Sequence, residues 1–400
     1  MSFKSIPILD LSQASDPATK PEFLRQLRHA LMEVGFLYLK NVGEAEELFE
    51  QVIAQGKAFF DIPAEEKQER YRLTIEMKNK KSFLGYSQLS AEITAGAVDH
   101  REQLDLATEQ QSSPPKPDAP RYYNLLGPNQ WPSESVLPGF RAVYQEYMRR
   151  MGATSIYFTS LIAEAIELPR DAFDKYFDEN QHHKLKIVKY PDLSQLDPAA
   201  AAGGQGQGVG PHKDSMLSSY LLQASEHRGL QVQNVRGEWI DCPPVPGTLV
   251  VAIGQGLEAL TGGVCTSTTH RVLSPAAGSG PRFSIPFFQG VDLDADFEDL
   301  ETVGVGQVPE GVREQRRRII EAAGGERLDD VEFTFRTGGA AKTLGEATLR
   351  NRVKSHPDVG ERWYPDILAD IRAEQAAAEG KKDSGGAPAT EVPPKAVEAH

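Results

Sequence analysis

Three residues whose types and spacing suit metal chemistry lie in the second half of the chain. His212 and Asp214 form a His-x-Asp pair, and His270 follows after 55 intervening residues. Two imidazoles and one carboxylate are the ligand set of the 2-His-1-carboxylate facial triad, which binds ferrous iron and leaves coordination positions open. Residues i and i+2 of a strand point to one side, so His212 and Asp214 are expected to reach one metal from a single extended segment. His270 must then lie on a strand folded back beside them.

A buried cation is predicted twelve residues beyond the second histidine. Arg282 and Ser284 lie at positions i and i+2 of an apolar run that ends at Phe288. A guanidinium is costly to bury in such a run unless it pairs with an anion. Arginine binds carboxylates through two parallel hydrogen bonds, and a neighbouring hydroxyl can donate another. The pattern therefore predicts a carboxylate-bearing small molecule next to the metal.

Together these residues resemble the pattern of the Fe(II)/2-oxoglutarate-dependent oxygenases, in the branch similar to isopenicillin N synthase. The resemblance implies that His212, Asp214 and His270 are iron ligands. It also implies that Arg282 and Ser284 bind the carboxylate of the co-substrate. Three further segments are similar to the family, namely a strand that ends in Tyr-Pro and two stretches near the N-terminus: residues 186–191, 6–11 and 34–39.

The resemblance also implies the cofactors and the class of reaction. Tyr190, in the Tyr-Pro strand, is expected to supply a hydroxyl to the carboxylate site. The implied cofactors are Fe(II), 2-oxoglutarate and O2, with ascorbate as an optional reductant. The implied reaction oxidises a C–H bond of a small molecule, a secondary metabolite or an amino-acid derivative, by hydroxylation, desaturation or oxidative ring closure, and releases succinate and CO2.

Two alternatives to this function stay open at the level of sequence. One is an isopenicillin N synthase-like iron oxidase without 2-oxoglutarate, in which Arg282 and Ser284 hold the substrate's own carboxylate. The other is a non-catalytic jelly-roll protein that binds a ligand. Succinate release separates the first alternative from the main prediction, and iron binding separates the second.

Four residues are candidates for the substrate side of the site: Tyr86, Lys186, Met216 and Phe288. In relatives the segment around Tyr86 lies at the pocket mouth, although simple packing explains an aromatic residue there equally well. Lys186 can reach an acidic substrate group, although solvation is the commoner state of a strand lysine. Met216 and Phe288, together with Phe287, are expected to form apolar walls that exclude water.

Short segments punctuated by glycine and proline predict a mainly β fold with flanking helices, an α+β protein around a double-stranded β-helix, or jelly-roll, core. From His212 to the end of the core the pattern is β throughout. Strands are predicted at residues 5–11, 36–39, 184–190, 218–223, 229–233, 238–241 and 248–253. Amphipathic periodicity predicts helices at residues 21–31, 46–60, 140–168 and 313–320, and another that ends at residue 378.

The chain is predicted to form a single oxygenase domain over residues 1–378. It comprises a helix-rich region (1–170), a jelly-roll catalytic core (180–290) and a C-terminal cap (291–378). Residues 379–400, rich in Lys, Gly, Pro, Ala and Glu, are expected to form a disordered tail.

Two further motifs are assigned no metal or nucleotide chemistry. His182 and His183 are adjacent on a predicted strand and would point to opposite faces, so they are expected to be structural or surface residues. The glycine-rich loop at 192–210 leads into a strand rather than a helix, so it is predicted to be a lid near the site and not a phosphate-binding loop.

Composition narrows the remaining function classes. A net charge of −14 argues against nucleic-acid or anionic-membrane partners, which favour a basic surface. Two cysteines, Cys242 and Cys265, give no disulfide framework. No apolar run approaches the length of a membrane span, so a cytoplasmic location is expected.

Overall fold

The computed structural model describes residues 2–43, 46–62, 75–94, 96–109, 118–176, 182–198, 206–295, 308–324 and 342–384, with side chains as far as residue 376. Within these ranges no helix combines the length and the apolar character that crossing a membrane requires. The charged segment at 64–71, and most of the Pro- and Ser-rich loop at 110–120, lie outside the described residues.

Fourteen short strands within the described residues form the framework of the fold. They are β1 Ile8–Asp10, β2 Phe36–Lys40, β3 Gly85–Ser87, β4 Glu92–Thr94, β5 Ala97–Asp99, β6 Glu102–Ala107, β7 Lys184–Tyr190, β8 Gln207–His212, β9 Ser218–Gln223, β10 Leu230–Gln233, β11 Trp239–Asp241, β12 Thr248–Ile253, β13 His270–Leu273 and β14 Arg282–Phe288. A large sheet has the order β1-β2-β12-β9-β14-β7-β6-β3, and a small sheet has the order β11-β10-β13-β8. Strands β4 and β5 pair as a separate ribbon. The two main sheets form the predicted double-stranded β-helix.

Eight α-helices flank the sheets in the described part of the chain. They are α1 Lys20–His29, α2 Glu46–Asp61, α3 Phe140–Ala165, α4 Gln255–Leu260, α5 Glu310–Ala322, α6 Leu344–Ser355, α7 Pro357–Trp363 and α8 Pro365–Ser384. One wide turn, Ala30–Val34, continues α1 and ends at Gly35, whose φ of 70° places it in the left-handed region that favours glycine. The apolar faces of α1, α2 and α3 pack on the outer face of the large sheet and bury residues such as Phe23, Phe59 and Tyr144.

Strand periodicity sets the two faces of the large sheet. On β7, Leu185 and Ile187 face the helices, whereas Val188 and Tyr190 face the small sheet. Because side chains alternate along a strand, the same rule directs every second residue of β14, starting at Arg282, toward the space between the sheets. The inner apolar layer around Val232 and Val250 contains residues of both sheets and packs between them.

A third apolar cluster attaches the C-terminal helices to the N-terminal half. Phe83 stacks on Tyr364 with ring centroids 5.6 Å apart, and Leu349 and Val353 of α6 lie in the same cluster. Thr343 caps α6 by accepting a hydrogen bond from the backbone of Glu346, which fixes where the helix begins. Helix α6 thereby lies over the opening between the sheets.

The structure corrects three of the sequence predictions. The region after His212 is not β throughout, because helix α4 follows β12. Glycine has low helix propensity, and Gly254 and Gly256 at the start of α4 explain why this helix was not predicted. Helix α8 extends to Ser384 and includes the first six residues of the predicted tail, where Ala, Glu and Lys favour helix; residues 385–400 lie outside the described part. His182 and His183 are both buried, so the structural interpretation holds and the surface one is wrong.

Candidate metal centre and anion pocket

The three predicted metal ligands come together at one end of the space between the sheets. One ligand atom from each of His212, Asp214 and His270 lies within 4.8 Å of the others. The Nε2 atoms of both histidines are 3.7 Å from Asp214 Oδ1. His270 pairs directly with His212 across β13 and β8, which is how a residue 58 positions away reaches the same point.

Both imidazoles are oriented by their own backbone. His212 Nδ1 donates to the carbonyl of Gly210 at 2.9 Å, and His270 Nδ1 donates to the carbonyl of Thr268 at 3.1 Å. A proton held on Nδ1 leaves Nε2 with a free lone pair, which is the form that binds a metal. Burial and the neighbouring His270 lower the pKa of His212 to about 3, so this ring is neutral at physiological pH.

Asp214 is positioned by a loop and not by a strand, which corrects the predicted geometry. Strand β8 ends at His212, and the backbone carbonyl of Asp214 accepts a hydrogen bond from Gln255 at the start of α4. Its Oδ2 accepts from Ser219 Oγ at 2.5 Å. Gly254 permits this loop to approach α4, because a Cβ there would lie 1.8 Å from the carbonyl oxygen of Met216.

Arg282 occupies the opposite end of the same space. Its side chain is 1% exposed, and its guanidinium lies 5.0 Å from the ring centroid of Tyr190, its partner in the β14–β7 register. Nη2 makes a long bond of 3.4 Å to Gln223, and Nη1 is buried without a hydrogen-bond partner among the described residues. Burial lowers the pKa of Arg282 below its usual value, so the charge is held there at a cost. Ser284 is buried two residues along the same face.

A cavity of about 370 Å³ joins the two ends. Its wall includes the three predicted metal ligands at one end and Arg282, Tyr190 and Ser284 at the other. Several residues of helix α6 also line it. The structure thus brings all six predicted metal and co-substrate residues to one cavity.

Charged side chains line the mouth of the cavity on the metal side. Arg352 of α6 donates to Asp105 at 2.7 Å, and Lys186 Nζ lies 3.7 Å from both Asp105 and Glu92. Arg101 also pairs with Glu92. The carboxylates of this network are buried, and each of these three cations has a carboxylate partner.

The predicted substrate-side residues have mixed outcomes. Met216, Phe288 and Lys186 line the cavity, although Lys186 is held in the ion-pair network and is not solvated. Tyr86 is misplaced by the prediction, because its register partner Leu104 belongs to the opposite, helix-facing side of the sheet; its hydroxyl donates to Glu102 at 2.7 Å. Phe287 is also wrong as a wall residue, since alternation buries it in the outer core.

Several residues that shape the site were missed from the sequence. Ser219 and Gln223, which contact Asp214 and Arg282, lie on one face of β9 with Leu221 between them, and that strand alternation was available as a clue. Glu92, Asp105 and Arg352 come from distant parts of the chain, and no spacing rule connects them.

Two family models match the sequence. The N-terminal model of non-haem dioxygenases in morphine synthesis matches residues 6–134, and the 2OG-Fe(II) oxygenase superfamily model matches residues 183–291. A protein named 2-oxoglutarate-dependent dioxygenase frbJ, from Dothideomycetidae sp. (strain 11243), is 65% identical over 378 residues, which cover 94% of this chain and 97% of that protein. The chain belongs to the 2OG-Fe(II) oxygenase superfamily.

Two more distant similarities agree with this assignment. The oxygenase is 32% identical to homoarginine-6-hydroxylase 2-ODD-C23 of Glycine max over 75% of this chain and 89% of that protein. The crystal structure of a full-length Neurospora crassa protein in complex with alpha-KG superposes with a TM-score of 0.60 at 25% identity, and the match covers 73% of this chain and 87% of that one.

These similarities confirm the predicted superfamily, the double-stranded β-helix fold and the activity of a non-haem iron, 2-oxoglutarate-dependent dioxygenase with Fe(II), 2-oxoglutarate and O2. They favour that activity over the oxidase without 2-oxoglutarate and over the non-catalytic binding protein.

Proposed function

We propose that this oxygenase oxidises a C–H bond of a small molecule, an amino-acid derivative or a secondary metabolite, by hydroxylation, desaturation or oxidative ring closure. In this proposal His212, Asp214 and His270 hold the iron. Homoarginine-6-hydroxylase, by its name, acts on an amino acid, which supports a substrate of this size and polarity. The buried free thiols of Cys242 and Cys265 support a reducing, cytoplasmic location.

The observation that carries the proposal is the unsatisfied guanidinium at the closed end of the cavity. Arg282 Nη1 is buried and has no acceptor in the described part of the chain. A buried donor left without a partner costs about 1–3 kcal/mol, and more when it is charged. A carboxylate placed there would receive a charge-assisted bond from Arg282 and a further bond from Ser284 or Tyr190. We therefore assign the distal carboxylate of 2-oxoglutarate to these three residues.

The donor set at the other end fits Fe(II) equally well. Both imidazoles present Nε2 toward the carboxylate of Asp214, and the three ligand atoms lie within 4.8 Å of one another. When bound, the iron and 2-oxoglutarate supply the oxidising power, consuming O2 and releasing succinate and CO2. Ser219 fixes the orientation of Asp214 by donating to Oδ2, which keeps Oδ1 facing the histidines.

The protein's remaining contribution is to exclude water and to place the substrate. Met216, Leu221, Pro286 and Phe288 give the cavity apolar walls between its polar ends. A dry cavity directs oxidation to the carbon held near the iron and protects the protein from its own oxidant.

The proposal is tested by anaerobic reconstitution with Fe(II), followed by turnover with 2-oxoglutarate, ascorbate and a panel of amino acids and related metabolites. We expect one bound iron per chain and succinate formed in proportion to oxidised product. Product formation without succinate would overturn the assignment of Arg282 to 2-oxoglutarate and would point to the substrate's own carboxylate.

A further inference from the structure

A second lysine on β7 differs from its neighbours in the charged network. Lys184 lies two residues before Lys186 on the same face of the strand and lines the cavity. Lys186 has carboxylates at 3.7 Å on two sides, whereas Lys184 forms no ion pair with any residue that the structure describes. One strand face therefore carries a paired and an unpaired cation side by side.

Charges around Lys184 make its ammonium unfavourable in the protein alone. Apart from His356, whose ring contacts Glu92, the network holds four cations, Arg101, Lys184, Lys186 and Arg352, against three carboxylates, Glu92, Asp99 and Asp105. Within the described ranges one positive charge is thus in excess. Burial, and repulsion by Arg352 and Lys186, hold the pKa of Lys184 well below its usual value, and Asp105 offsets only part of this.

The register of the sheet puts Lys184 level with the metal end of the cavity. Lys184 pairs with Phe288, and Phe288 pairs with Ser219, whose hydroxyl contacts Asp214. Two interstrand spacings separate the Cα atoms of Lys184 and Ser219, roughly 10 Å, which a lysine side chain shortens further. Arg282 lies at the other end of β14, six residues before Phe288 and roughly 20 Å from it. Lys184 and Arg282 therefore serve different parts of the cavity.

We propose that Lys184 binds a carboxylate of the substrate, so that this oxygenase takes a carboxylate-bearing small molecule with the reacting carbon between that carboxylate and the metal centre. This inference rests on the proposed function and adds the class of substrate to it. An anion there supplies the charge that the network lacks, and it gains a charge-assisted hydrogen bond in a cavity of low polarity. The two ends of the cavity then hold two different carboxylates, one from the co-substrate and one from the substrate.

The test is a binding titration on the full chain loaded with Fe(II) and 2-oxoglutarate under anaerobic conditions, followed by calorimetry. The probes are the twenty proteinogenic amino acids, L-homoarginine and acetate, each carboxylate paired with its carboxamide, and inorganic phosphate. We expect at least one carboxylate to bind at least tenfold more tightly than its carboxamide. Lys184→Met should weaken that binding about 10- to 100-fold, the range for a lost charge-assisted bond. Lys184→Arg should retain part of it.

Three results would overturn the inference: no carboxylate binds, carboxamides bind equally well, or Lys184→Met leaves the affinity unchanged. Binding of phosphate alone would overturn the carboxylate assignment. Failure of the proposed function is distinct, because it shows as loss of 2-oxoglutarate binding and of succinate formation in the wild-type protein, whatever the substrate probes do.

A second measurement does not depend on finding a ligand. Lys184→Met removes the excess charge and should raise the melting temperature of the ligand-free protein by roughly 2 °C or more. Lys186→Met, the matched control on the same face, removes a cation shared by two buried carboxylates and should lower it. A lower melting temperature for Lys184→Met would show that the ammonium serves the fold and would contradict the inference. Lys189→Met, on the opposite face, should change little, since that lysine makes a partly exposed pair with Glu102.

Discussion

Arg282 and Arg352 both reach the cavity, the first from strand β14 and the second from helix α6. Arg352 donates through Nη2 to the carboxylate of Asp105 and to the carbonyl of Phe83, both at 2.7 Å, so the protein supplies its counter-charge even though its Nε has no partner within the described chain. Arg282 has a ring beneath it and an amide at 3.4 Å, and its Nη1 has no acceptor within the described chain. Arginine thus serves two purposes in this cavity: Arg352 connects elements of the fold, and Arg282 is available to bind a ligand.

The difference teaches how to distinguish structural from ligand-binding cations. Arg282 is buried and the Arg352 side chain is only 11% exposed, so burial alone does not separate them. The separating observation is whether the protein itself provides the counter-charge. Substitution at the Arg352 end should therefore change stability first, and substitution at the Arg282 or metal end should change ligand binding first.

The largest expected effect is at the metal ligands. Asp214→Ala removes the carboxylate between the two histidines, so iron content should fall below one tenth of the wild-type value and succinate formation should fall by about 10³-fold or more. The melting temperature without metal should change little by comparison. Iron is measured after gel filtration, with Asp241→Ala, an exposed carboxylate on β11, as the control that should keep full loading. Full iron loading in Asp214→Ala would show that Asp214 is not an iron ligand.

The second-largest effect is expected at Arg352, the arginine that pairs within the protein. Arg352→Met leaves Asp105 buried without its closest cation, and breaking such a pair costs about 3–5 kcal/mol of unfolding free energy. Urea unfolding measures this loss. Arg350→Met on the same helix is the matched control: Arg350 pairs with the exposed Glu374, and an exposed pair contributes about 0–1 kcal/mol. Equal losses in the two variants would mean that burial of the pair has no weight.

The pH dependence of stability should also arise at the Arg352 end of the cavity, from the carboxyl of Asp105. Burial alone would raise the pKa of Asp105, but Lys186 and Arg352 lower it below its usual value. A carboxyl whose folded pKa is depressed stabilises the fold above its unfolded pKa, about 4, and loses that contribution as the pH falls through the folded value. Asp105→Asn should therefore be less stable at pH 7 and lose less stability than wild type below about pH 4. Parallel curves for the two proteins in urea titrations would contradict this.

The smallest effect tests the partner of the ligand-binding arginine. Ser284→Ala removes one neutral hydroxyl beside Arg282, so the Kd for 2-oxoglutarate should rise about 5- to 10-fold, the value of one hydrogen bond. Stability should stay close to wild type. Ser279→Ala, in an exposed turn, is the control. A change of 100-fold or more would mean that Ser284, and not Arg282, is the main anchor.

Much of this division could be predicted from local sequence. The His-x-Asp pair, the later histidine and the Arg-x-Ser strand identify a metal and a carboxylate site because metal and anion chemistry restrict which residue types can serve. Alternation along β7 and β14 then decides which neighbours share the cavity, and Tyr190, which the resemblance to the family implied, lines it.

The errors arise where long-range contacts decide. Phe287 is out of phase with Arg282 and Ser284, which alternation along β14 already implies, whereas the phase of Tyr86 is revealed only by its pairing with β6. Lys186 was expected to be solvated or to bind substrate, because its carboxylate partners come from β4 and β6, which no spacing rule links to β7. Helix α4 is only six residues long, and its first backbone amides donate hydrogen bonds to the metal loop, a long-range contact that local sequence does not reveal.

The most direct test of the account is the Kd for 2-oxoglutarate, measured by anaerobic calorimetry with Fe(II), in wild type, Arg282→Met and Arg352→Met. The account predicts a rise of about 100-fold or more for Arg282→Met, because the co-substrate carboxylate loses a buried charge partner, with stability unchanged or increased. For the folded fraction of Arg352→Met it predicts a change of less than about threefold, below 1 kcal/mol. If Arg282→Met binds 2-oxoglutarate as tightly as wild type, the guanidinium at the closed end of the cavity is not the anchor, and the central claim is wrong.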